Sequence, residues 1–128
     1  YLKLRPGTNV SPQEMADDDL LDYCRSTGLT LLAYSALQSG AYTRSDRAFT
    51  PKLMSADNEA RLAMLRAVAA ETGASVNQVI LAWMMQSSPS VIPLIAASTD
   101  EQLHENLGAL ELTLSAEQMD RLNSAGTT

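Results

Sequence analysis

The chain has 128 residues, an apolar fraction of 45% and a net charge of −6 at pH 7. That is the size of one domain or part of one, too apolar for disorder and too acidic for nucleic acid or an anionic membrane as general partner. One cysteine, Cys24, and one histidine, His104, give no internal disulfide and no metal site to expect; with no membrane-length apolar run and no signal peptide, they suit a reducing cytoplasm.

Residues 1–4 read as a short strand, entered without a Met, which hints at an N-terminal cut. Arg5-Pro6-Gly7 is a turn signal, and residues 8–14 are polar and read as loop. A helix is expected from near Ala16 to Gly28. Asp17, Asp18 and Asp19 open it, where the helix dipole favours negative charge; no further ligand cluster accompanies them to make a metal site. Leu20, Leu21 and Cys24 follow helical spacing, Arg25 suits the last turn, and Gly28 the C′ position.

Residues 29–34 are nearly all apolar and read as a strand buried on both faces, as in a parallel sheet. Residues 35–52 form a long polar loop, of a length that is usually functional or mobile. A helix over 58–72 aligns Leu62, Leu65, Val68 and Ala69 and stops at Gly73. The next, over 75–86, starts with the capping-box pattern Ser75-Val76-Asn77-Gln78 and buries Val76, Val79, Ile80 and Trp83. A turn at Pro89 leads to a third strand over 91–95, in which Pro93 removes one ladder donor. A helix from about Asp100 carries Leu103, Leu107 and Leu110 as its buried stripe. The last helix opens at Ser115 with Gln118 three residues on, turns Met119 and Leu122 inward, and frays from Ser124.

This order, β–α–β–α–α–β–α–α, implies parallel crossovers and leaves two architectures open: a small doubly wound sheet, or part of a (β/α)8 barrel. In either, residues 91–106 run from an apolar strand through small residues into a helix. That order sets backbone N–H groups at the C-terminal end of a strand, where such proteins bind phosphates. Residues 31–42 repeat the strand-then-small-loop character.

Several segments in order resemble the aldo-keto reductases. They are Asn58-Glu59-Ala60-Arg61-Leu62, Glu71-Thr72-Gly73-Ala74-Ser75-Val76-Asn77-Gln78, Leu81-Ala82-Trp83, Val91-Ile92-Pro93, Glu101-Gln102-Leu103-His104-Glu105-Asn106-Leu107 and Leu110-Glu111-Leu112-Thr113-Leu114-Ser115-Ala116-Glu117. The resemblance implies an α/β fold: residues 1–128 as the C-terminal part of a (β/α)8 TIM barrel, its last three β/α units plus a C-terminal extra helix. Barrels of this kind place their sites in the loops after the strands.

The same resemblance assigns the cofactor site. After the seventh barrel strand, Tyr34 would stack on a nicotinamide, with Ser35, Leu37, Ser39 and Gly40 lining the pyrophosphate. The alternative for Tyr34 is a buried strand-end tyrosine. Ala36 replaces a common proline, and Gln38 stands where glycine is usual. After the eighth strand, Ser98, Gln102, Glu105 and Asn106 match an adenosine-binding set of the branch that includes the potassium-channel β subunits. Ser98, Gln102 and Asn106 can share one helix face, although Ser98 or Thr99 is also a natural N-cap and Gln102 completes a capping box. Charge for a 2′-phosphate would come from Arg44 or Arg47. The implied cofactor is NADP(H), with NAD(H) second. The family's catalytic Tyr, Asp, Lys and His have no matching positions here, so no catalytic residue is expected. The intact protein would reduce an aldehyde or ketone by hydride transfer. The alternative is a non-catalytic nucleotide-binding or interaction module. A cut barrel would expose strand edges and its inner face, so the chain is expected to self-associate.

Overall fold

The computed structural model describes residues 1–4 and 14–126. The expected turn at Arg5-Pro6-Gly7, most of the loop after it and the last two residues lie outside them. Helix α1 is Asp18–Thr27, strand β1 Leu31–Ala33, helix α2 Ala56–Thr72, helix α3 Val76–Gln86, strand β2 Val91–Pro93, helix α4 Asp100–Leu107 and helix α5 Ala116–Ser124.

Local chemistry sets most of these boundaries. Asp17 caps α1 by accepting the Leu20 N–H at 2.9 Å, so the helix begins at Asp18, two residues later than expected, and Gly28 ends it with φ 70°. Ser55 caps α2 by accepting the Asn58 N–H. The capping boxes expected at Ser75/Gln78 and Ser115/Gln118 both form, each satisfying two orphan donors.

Helix α3 is the centre of the core. Val79, Ile80 and Ala82 are buried against Leu65 and Val68 of α2, Val91 of β2 and Leu122 of α5, and Leu81 is buried as well. Trp83 is half-buried: it stands edge-on to Tyr1 at 5.1 Å and donates its Nε1–H to Asn123 at 2.8 Å.

The strands differ most from expectation. Among the described residues there are two, paired in parallel, and residues 1–4 are not a third. Their backbone is met by a side chain instead: buried Asn58 accepts the Lys3 N–H at 3.0 Å and donates to the carbonyls of Lys3 and Leu53, each at 2.7 Å. Strand β2 ends at Pro93, two residues earlier than expected; the missing proline N–H falls on the edge of β2 away from β1, where no strand pairs among the described residues. The expected burial of both faces of β1 is overturned, because helices cover one face only. Leu31, Ala33 and Val91 pack toward the core, whereas Leu32 is 55% and its register partner Ile92 49% exposed. The stripe expected to be buried on α4 is also exposed, up to 66% at Leu110, with Leu103 and Leu107 beside it. No described element covers that side of the helix.

Candidate functional site

The register of the two strands builds the site. Ala33 faces Pro93, and one step further the Leu94 N–H donates to the Ala33 carbonyl at 2.8 Å. Because the strands are parallel, the loops after β1 and after β2 leave from one edge of the sheet, its C-terminal edge. The chain thus brings together the two segments that the sequence singles out.

The loop after β1 has an unusual backbone. Ser35, Gln38 and Ser39 have φ of 55°, 49° and 55°, followed by Gly40 at 88°. Left-handed backbone at non-glycine residues costs about 1–2 kcal/mol each. Local hydrogen bonds hold it: Gln38 N–H to the Ser35 carbonyl at 3.0 Å, Gly40 N–H to Leu37 at 2.9 Å and Arg44 N–H to Gly40 at 2.9 Å. Tyr42 is buried edge-on to Phe49 at 5.1 Å, and the pair joins the loop to the main hydrophobic core. Burial pushes the Tyr42 hydroxyl well above the usual phenol range.

Tyr34 is 58% exposed, not a buried strand-end tyrosine, and its ring is open to a planar ligand. Ser35, Gln38, Ser39, Arg47 and Thr50 line a cleft of about 260 Å³. Leu37 is half-buried and packs on the core beneath the loop. Arg44 is otherwise engaged: its guanidinium donates to both carboxylate oxygens of Asp46, at 2.9 and 2.6 Å, and holds the Asp46 carboxyl below the usual range. Its Cδ would lie 2.8 Å from a Cβ at Gly40, so the bare glycine makes room for it. Arg47 is therefore the cation that lines the cleft.

The loop after β2 ends in a cap. Thr99 accepts the Gln102 N–H at 3.2 Å, while Gln102 Oε1 accepts the Ser98 N–H at 2.8 Å. This box closes one residue earlier than the usual pattern and fixes the backbone between Ser98 and the helix. Ser98 and Gln102 are exposed; Asn106, a turn further on, is only 6% exposed. Glu105 is half-buried, and its carbonyl accepts from Gln78 Nε2 at 2.9 Å. Asp100 and Glu101 also stand in the first turn of α4. The Glu101 backbone N–H, and then the Thr99 hydroxyl, hold the Glu101 carboxyl below the usual range.

The donor set fits a dinucleotide: an exposed aromatic ring, a cleft with hydroxyls and one arginine, and a polar helix start, all at one sheet edge. Among the described residues no three His, Cys, Asp or Glu cluster to hold a metal, and no helix is long and apolar enough to cross a membrane. His104 is exposed on α4 and belongs to no such cluster. Sequence reasoning missed Thr50, and it missed the second bond of Gln78. The departure at Gln38 was the one available signal of the left-handed backbone.

Residues 7–127 match the Aldo/keto reductase family. Aldo-keto reductase ausK of Emericella nidulans is 34% identical over 121 residues, covering 84% of this chain and 30% of the relative. Aldo/keto reductase slr0942 of Synechocystis sp. is 33% identical over 109 residues, covering 84% and 31%. L-glyceraldehyde 3-phosphate reductase of Escherichia coli K12 is 27% identical over 137 residues, covering 93% and 40%. A thermostable aldo-keto reductase solved with the inhibitor epalrestat superposes with a TM-score of 0.64 at 34% identity, covering 84% of this chain and 33% of that one. The chain spans about a third of the length of the curated relatives first matched. Such coverage goes with a barrel-type fold of which these residues are an α/β part. The chain belongs to the aldo/keto reductase family.

Proposed function

We propose that this chain is the cofactor-binding, C-terminal segment of an aldo-keto reductase barrel, and that its ligand is NADP(H). The observation that carries the reading is the parallel pairing of β1 with β2, by which the Tyr34 and Ser98 loops share one sheet edge. In the reading, Tyr34 stacks on the nicotinamide, and Ser35, Ser39, Gly40 and Arg47 meet the pyrophosphate. Leu37 anchors that loop from below. Ser98, Gln102 and Asn106 take the adenosine end, with Glu105 beside them. Arg44 reaches a 2′-phosphate only by leaving Asp46. The bound dihydronicotinamide supplies a hydride to an aldehyde or ketone, which is the reaction of the intact protein. This segment contributes binding and orientation, and no proton donor for the carbonyl. The exposed faces of the sheet and of α4 support self-association of the isolated chain.

A second reading is favoured by Asp100 and Glu101. Two carboxylates at the start of α4 oppose a 2′-phosphate there, which favours NAD(H). Titration of the chain with NADPH and with NADH, followed by nucleotide fluorescence, separates the two. Saturable binding that prefers NADPH, and is lost in Ser98→Ala/Gln102→Ala, supports the first reading. Preference for NADH supports the second, and binding of neither nucleotide overturns both.

A further inference from the structure

We infer that Gln78 is a positioning residue for the nucleotide: it ties the start of α3 to the last turn of α4 and thereby sets where the Ser98–Gln102–Asn106 face stands. The inference rests on the cofactor reading above. One side-chain amide makes both bonds. Gln78 Oε1 accepts the Ser75 N–H at 3.0 Å and closes the cap of α3. Its Nε2 donates across to the Glu105 carbonyl at 2.9 Å. The acceptor is thus on the same turn of α4 as Asn106. Helix α3 is the most deeply buried element and α4 among the most exposed, so the amide couples a mobile-prone helix to the core.

Gly108 shows that the contact is built in. It ends α4 with φ −58°, a backbone that any residue adopts. A Cβ there would nevertheless overlap Gln78 Nε2, with Gln78 Cδ at 3.5 Å. A side chain at Gly108 would therefore meet the end of the Gln78 amide and not backbone, and would displace that amide from the Glu105 carbonyl. The capping box alone explains a glutamine or a glutamate at position 78 equally well, since either accepts the Ser75 N–H. Only the amide also donates to a carbonyl.

Two variants isolate the second bond. Gln78→Glu keeps the α3 cap, loses the donor to Glu105 and sets a carboxylate oxygen against that carbonyl, which drives the two apart. Gly108→Ala strikes the same contact from the other side. In Gln78→Glu, amide hydrogen exchange in residues 100–107 is expected to quicken about tenfold while exchange in α2 is unchanged. Affinity for adenosine 2′,5′-bisphosphate is expected to fall by about the same factor, while nicotinamide mononucleotide binds as in wild type. Gly108→Ala should lower the melting temperature when Gln78 is present and leave it level or raise it when Gln78 is Ala, because alanine is then only a better helix former. Unchanged exchange in α4 and an unchanged sign for Gly108→Ala would overturn the clamp. Quickened exchange with undiminished affinity would overturn its role toward the nucleotide. A wild-type chain that binds neither nucleotide half fails the cofactor reading and that role together, and the exchange result still decides the clamp.

Discussion

Leu32 and Ile92 stand opposite each other in the two-stranded sheet, and both are about half exposed. Each strand also has one edge unpaired among the described residues. An apolar face beside open strand edges invites association with another chain. Sedimentation equilibrium at micromolar concentration should therefore find dimers or larger species. Leu32→Thr/Ile92→Thr, which keeps residues suited to a strand, should shift the population toward monomer. A monomeric wild-type chain contradicts this account of the face.

Asn58 supplies the bonds that a neighbouring strand would otherwise give to Lys3. Asn58→Ala leaves the carbonyls of Lys3 and Leu53 and the N–H of Lys3 without these partners. The expected cost is about 2–3 kcal/mol, read from the urea midpoint. A cost below about 0.5 kcal/mol, the level of an ordinary surface substitution, would mean that the residue does not organise the N-terminal segment.

The loop after β1 gives a pair of opposite signs. Gln38 has φ 49°, so Gln38→Gly removes strain and should stabilise the chain by up to about 1 kcal/mol. Gly40→Ala should destabilise by about 1–2 kcal/mol, since it combines φ 88° with a contact on Arg44. Thermal melts of both variants check the signs.

Tyr42 predicts an alkaline limb. Its hydroxyl titrates near 10.0 when unfolded, and burial raises it in the fold. Below pH 10 both states keep the proton, and the group adds no pH dependence. Above it the unfolded chain loses the proton first, so stability falls by about 1.4 kcal/mol per pH unit. The difference between wild type and Tyr42→Phe isolates this group: the variant should lose less stability between pH 10 and pH 11.5, a window named to about half a unit. Parallel curves would contradict the burial assigned to Tyr42.

The helices were legible because their signals are local. Ser75 with Gln78, Ser115 with Gln118, and Gly28 and Gly73 mark their own boundaries through bonds made within a few residues. The strands were less so. The apolar run around Leu32 reads as buried on both faces, yet burial depends on what covers a sheet, which no local pattern states. Leu103, Leu107 and Leu110 fail for the same reason: their spacing defines a stripe but not a partner for it. At the site, residue types pointed to the two loops. The engagement of Arg44 by Asp46, and the cleft lined by Arg47, depend on the path of a loop whose left-handed residues are mostly not glycine.

The central claim is that the loops after β1 and β2 form one dinucleotide site. Its most direct test is the mapping of backbone amide shifts in the labelled chain as NADPH is added. The account predicts saturable shifts in two separate segments, residues 34–50 and 98–106, that titrate with a single affinity. Shifts confined to one segment, shifts elsewhere, or none at all would contradict it.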